Sequence, residues 1–182
     1  MTYGIHLPQY GRVASGEAVT RAAQHAEALG FADVWVSDHV VHPAEQSYPS
    51  PYLLDPFATL TWAAAVTERV RLLSHVFVLP YRHPLVVAKA WATLDALSGG
   101  RAILGVGAGH VEGEFDALSL PYRERGALLD EAIDAVRAAL AEEVTLKGGH
   151  ERRPDIVIYL NGLAIAVIEL KRSSVEIGDG IR

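Results

Sequence analysis

Residues 70–109 read VRLLSHVFVLPYRHPLVVAKAWATLDALSGGRAILGVGAG, and the punctuation of this stretch decides the fold. An apolar run over 70–80 reads as a strand. Pro84 then opens a helix over 85–97, because proline lacks the N–H that a first helical turn leaves unpaired. The helix stops at Ser98-Gly99-Gly100, where glycine permits the left-handed cap. Residues 101–109 are apolar without alternation, the pattern of a strand buried on both faces. Strand, helix and buried strand in succession predict a βα unit and a parallel sheet.

The same beat extends in both directions. Residues 3–8 (YGIHLP) form a candidate first strand, and residues 16–30 a helix with Ala22, Ala26 and Leu29 on one face, closed by Gly30. Residues 31–37 (FADVWVS) read as the second strand. Asp55 and Pro56 pair as a cap and first-turn residue opening a helix over 57–69. A further helix is predicted over 125–140, which makes four βα units by residue 140.

Composition sets the bounds. The 182 residues are half apolar and 21% charged, as in a soluble globular chain of one substantial core. A formal charge of −6 argues against a general nucleic-acid or membrane-surface binder, which needs excess Lys and Arg. With no cysteine, disulfides and thiolate metal sites are excluded. The start lacks a signal-peptide pattern and no apolar run reaches the roughly 18 residues of a membrane helix, so a cytoplasmic protein is expected.

The last quarter has a different composition. Ile occurs three times in the first 140 residues and six times in the last 42. Residues 146–153 (LKGGHERR) are polar and Gly-containing, and a seam is placed between 141 and 152. Beyond it, 155–160 (DIVIYL) and 163–170 (LAIAVIEL) flank Asn161-Gly162, a strong hairpin signal.

Polar residues gather at the predicted strand ends: Ser37, Asp38 and His39 after the second strand, His75 within the third, and Gly107, Gly109, His110, Glu112 and Glu114 after the fourth. Ligands of parallel α/β proteins bind at the carboxyl ends of strands, so this placement points to a shared site. Each residue also has an ordinary structural reading: Asp38 as a loop cap, His39 as a hydrogen-bonded histidine, the glycines as turn formers. The glycines run G-x-G-x-G, which is not the dinucleotide fingerprint. His39 and His42 have metal-like spacing but lack a third ligand.

Residues 3–11 (YGIHLPQYG), 34–43 (VWVSDHVVHP) and 69–133 resemble the luciferase-like monooxygenase family, in particular its branch using the deazaflavin coenzyme F420. The resemblance covers about residues 1–140. It implies half of a (β/α)8 TIM barrel, the family barrel having eight units and this stretch four. It further implies that F420, or alternatively FMN, lies over the strand ends. Asp38 and His39 would lie at the ring, the His75–Val76 step would be a supporting bulge that in many members holds a cis peptide, and Gly107, Gly109 and His110 would line the pocket. The implied chemistry is hydride transfer to or from a small organic substrate, with His39 moving the proton and Asp38 biasing its charge.

Residues 150–182 resemble the PD-(D/E)xK nuclease domain of type I restriction enzyme motor subunits. That resemblance implies Asp155 and Glu169 as Mg²⁺ ligands, Lys171 as the catalytic lysine, and DNA as a partner. Three expectations follow: an oxidoreductase whose barrel is closed by a second copy in a homodimer, a Mg²⁺-dependent nuclease fragment, or a catalytically silent chimeric chain whose tail hairpin pairs with the edge of the half barrel.

Overall fold

The computed structural model describes residues 2–41, 52–146, 155–160 and 163–168, with side chains described through residue 140. The predicted beat is present. Strands β1 (Gly4–His6), β2 (Asp33–Val36), β3 (Arg71–Ser74), β4 (Phe77–Val78) and β5 (Ala102–Gly107) alternate with helices α1 (Gly16–Ala28), α2 (Pro56–Ala65) and α3 (Pro84–Ser98). After β5 come α4 (Glu112–Ala117), α5 (Arg125–Leu146), β6 (Asp155–Leu160) and β7 (Leu163–Ile168). The sheet runs β1-β2-β3-β5-β6-β7, with β4 also on β5. All pairings are parallel except β6 with β7.

Local chemistry explains the helix ends. Ser15 accepts a hydrogen bond from the Ala18 N–H to begin α1. Asp55 accepts from the Ala58 N–H to begin α2, with Pro56 in its first turn. Gly99 closes α3 at φ 74°, a left-handed conformation that glycine adopts without penalty. The α1 core face differs from the predicted one. Val19, Ala23 and Ala26 are the buried residues, whereas Leu29 is 75% exposed, because the helix ends at Ala28 and Leu29 swings outward at the cap.

The third strand is broken between Ser74 and Phe77 with a cis His75–Val76 peptide, the bulge that the family resemblance implied. Two further elements depart from the reading. The short α4 is new. Helix α5 continues past the predicted end at 140 to Leu146, since residues 141–146 (AEEVTL) contain no breaker before Gly148. The predicted hairpin forms, with a register irregularity between Ile158 and Tyr159. It joins the sheet: β6 lies parallel to β5, with Ile103 opposite Asp155 and Val106 opposite Ile158.

The core lies between the sheet and its helices. Leu7, Val34, Val36, Leu72, Leu104 and Val106 from the strands meet Ala23, Leu60, Val87, Trp91, Leu94 and Val136. Burial of each large side chain here contributes about 1.5–3 kcal/mol. Every residue of β5 is buried, as its unbroken apolar run requires. The alternate strand residues His6, Trp35, Leu73 and Ile103 share the opposite sheet face, in register across β1, β2, β3 and β5. Among the described residues, no helix is long and apolar enough to cross a membrane.

Candidate functional site

The carboxyl ends of β1, β2 and β3 carry a row of rings. His6 stacks on Tyr10 with centroids 5.0 Å apart and planes 8° from parallel. The Trp35 ring meets His6 edge-on at 4.4 Å and lies 5.0 Å from His75. These separations are those of favourable ring pairs. Burial lowers the His6 pKa below its ordinary value, which favours a neutral imidazole.

Gln9, wholly buried, ties this shelf together. Its amide N–H donates to the carbonyls of Ser37 and Leu54, 2.9 Å each, and its carbonyl accepts from the Ser37 N–H. One side chain thereby joins the end of β1 to the end of β2 and to the segment before α2.

The β3–β4 break is braced by β5. The Ser74 hydroxyl donates to the Gly105 carbonyl and accepts from the Gly105 N–H. A Cβ on Gly107 would fall 2.6 Å from Val76 Cγ2, and one on Gly109, whose φ is 80°, would fall 2.7 Å from Val78 Cγ1. These two glycines let β5 approach the His75–Val76 step, and the space they leave is filled by valine side chains.

Two buried carboxylates flank the shelf. Asp38 faces Arg82 through bonds of 2.6 and 2.8 Å and accepts from the Val78 N–H at 2.8 Å. Arg82 also lies 4.1 Å above the Phe77 ring and 3.7 Å from Asp55. Burial pushes the Asp38 pKa up, opposed by the guanidinium.

The second carboxylate is Glu114, in the first turn of α4 and 1% exposed. Its Oε2 lies 2.9 Å from His39 Nδ1 and accepts from the Tyr81 hydroxyl at 3.1 Å. Its Oε1 accepts from the N–H groups of Val40 and Val41, at 2.8 and 3.3 Å. Burial alone would raise the Glu114 pKa. The His39 imidazole, the Val40 N–H and the Tyr81 hydroxyl outweigh it and hold the carboxyl below its ordinary value. Burial and Glu114 together push the Tyr81 phenol upward, so it remains a donor.

The structure thus brings Asp38, His39, His75, Val76, Gly107, Gly109 and His110 to one end of the sheet. The rings of His39 and His110 lie 6.1 Å apart, edge to face. The expected link between Asp38 and His39 is corrected: Asp38 is taken up by Arg82 and Val78, and the carboxylate on His39 is Glu114. Sequence reading placed Glu114 near the strand end without that role, and missed Gln9, Tyr81, Arg82, His6 and Trp35. His42, Glu169 and Lys171 lie outside the described residues, and Asp155 is described only as the backbone start of β6. Among the described residues, no three His, Asp or Glu side chains are grouped to hold a metal ion.

Residues 3–162 match the family model described as luciferase-like monooxygenase. The matched range includes 141–152 and Asp155 and ends before Glu169 and Lys171. The chain is similar to the F420-dependent glucose-6-phosphate dehydrogenase of Intrasporangium calvum, with 38% identity over 144 residues, 74% of this chain and 41% of that enzyme. It is also similar to the solved monooxygenase RslO1 from Streptomyces bottropensis, with TM-score 0.72 and 32% identity over 87% of this chain and 53% of that one. The oxygenating constituent of 3,6-diketocamphane monooxygenase from Pseudomonas putida, solved with FMN, shares the fold at TM-score 0.62 and 19% identity, covering 75% of this chain and 38% of that one. The chain spans about half the length of the relatives it matches.

Proposed function

This chain belongs to the luciferase-like monooxygenase family, and from that premise we propose that it is the ring-binding half of an F420-dependent oxidoreductase acting on a small organic substrate. The observation that carries the reading is the ring shelf Tyr10-His6-Trp35-His75 at the strand ends. A row of aromatic and imidazole rings, offering both faces and edges, suits contact with a planar heterocycle. The fit extends to charge, because Asp38 is paired with Arg82 and Glu114 is engaged by His39, Val40, Val41 and Tyr81 within the protein. F420 is favoured over FMN because the 38% identical relative is named for F420, whereas the neighbour holding FMN shares the fold at 19% identity.

The deazaflavin ring, when bound, supplies the centre that exchanges hydride with the substrate. The chain's own residues do the rest. The shelf and the His75–Val76 step hold the ring, with Gly107, Gly109 and His110 forming the adjoining wall. His39 would give or take the proton that accompanies hydride transfer. Asp38, locked to Arg82, fixes the end of β2 from which His39 projects.

Titration of the protein into F420, followed by deazaflavin fluorescence, tests the reading. Saturable quenching is expected, weakened by Trp35→Ala. Absence of quenching, with FMN absorbance also unchanged on mixing, overturns it.

A further inference from the structure

We infer that Glu114 is a positioning residue that fixes the tautomer of His39, keeping the ring proton on Nδ1 so that Nε2 is the atom through which His39 exchanges a proton. The inference deepens the proposed role of His39 and rests on it.

Three donors from two separate segments converge on Glu114, the Val40 and Val41 N–H groups that follow β2 and the Tyr81 hydroxyl that follows β4, and His39 Nδ1 lies 2.9 Å from its Oε2. A carboxylate holding these donors in a water-poor site is acceptor-only. An unprotonated Nδ1 would set its lone pair against Oε2 at 2.9 Å, a repulsive contact, so the neutral ring carries its proton on Nδ1. In a neutral imidazole the other nitrogen is then the base. Asp38 cannot take this part, because its oxygens are engaged by Arg82 and the Val78 N–H. Glu114 also fixes where His39 sits: by gripping the next two backbone N–H groups it fastens the segment 39–41 to α4. The arrangement has the logic of a base oriented by a third group.

Glu114→Gln separates the carboxylate's charge from its bulk. The amide oxygen can still accept from Val40 and Val41, which turns the amide N–H toward His39 and demands an accepting Nδ1. The experiment is long-range proton–nitrogen NMR on the protein labelled at histidine ring nitrogens, without cofactor and at a pH where the ring is neutral, with His39 assigned by loss of its signals in His39→Asn. In the wild type, Nδ1 should carry the proton and Nε2 should not. Glu114→Gln should exchange the two, and Tyr81→Phe should keep the wild-type pattern. Proton occupancy on Nε2 in the wild type overturns the inference, as does an unchanged pattern in a folded Glu114→Gln chain. If Glu114→Gln does not fold, the wild-type and Tyr81→Phe spectra decide by the same criterion. Failure to bind F420 would defeat the proposed function and leave this result standing.

Discussion

At the amino ends of the strands, beside the Arg71–Asp33 pair, Glu27 and Arg101 grip backbone; at the carboxyl ends, Asp38 and Glu114 bond side chains and backbone together. Before β3, Glu27 accepts from the N–H groups of Glu68, Arg69 and Val70. Before β5, the Arg101 guanidinium donates to the carbonyls of Ala64, Thr67, Val70 and Ser98 and to the Thr67 hydroxyl. Both hold a loop in place and present no chemistry to a ligand. Beyond the strands, Asp38 and Glu114 add side-chain partners to their backbone ones, Arg82 in one case and His39 and Tyr81 in the other. The difference teaches that one sheet can keep its loop anchors at one end and, under the proposed function, its proton exchange at the other. On that reading, the loop anchors are replaceable at a cost in stability, and the His39–Glu114 pair at a cost in chemistry.

That contrast can be broken at several points. The largest stability loss is expected from Arg101→Ala, which abandons four backbone carbonyls: about 3–4 kcal/mol in urea unfolding. F420 quenching by the fraction still folded should be unchanged; reduced quenching would mean the two ends are not separable. Gly107→Ala should cost less, about 1–3 kcal/mol, because the new methyl must displace Val76. Its effect on F420 binding should nevertheless exceed that of Arg101→Ala, and equal binding would remove the β3–β4 break from the site.

The smallest effect sharpens the contrast through pH. Burial opposes ionisation of Glu27, but the N–H groups of Val70, Arg69 and Glu68 and the charge of Arg69 hold its pKa below the ordinary 4.5. A depressed folded-state pKa contributes stability that is present above the unfolded value and lost as pH falls through the folded one. Glu27→Gln should therefore lower the urea midpoint at neutral pH, and the gap from wild type should close on acidification below 4.5. A gap of constant size would show that Glu27 acts by shape alone.

Much of this was legible in the sequence. Pro84 and Gly99 mark the limits of α3, and the unbroken apolar run at 102–107 announces a buried strand, because both signals are local. The candidate residues at the strand ends were legible for a related reason: once strands are placed, their carboxyl ends are known. The break after Ser74 was legible only through the family resemblance, since the local pattern of 70–80 reads as one strand and the bonds that brace the Ser74 hydroxyl come from the Gly105 backbone, 31 residues away. The partner of His39 was misread for the same cause. Asp38 is its chain neighbour, but its carboxylate is drawn to Arg82 and the Val78 N–H, and Glu114 reaches His39 from 75 residues away.

The sequence by itself determined the alternation of strands and helices, the helix caps, the tail hairpin and the gathering of imidazoles and glycines at one end of a parallel sheet. Each of these follows from backbone preference and apolar period within a few residues. Only the tertiary structure decided that the tail strand β6 extends the sheet alongside β5, that valines fill the space left by Gly107 and Gly109, and which carboxylate serves His39. Those choices depend on which strands lie side by side and in what register, a property of the assembled sheet that no short stretch of sequence contains.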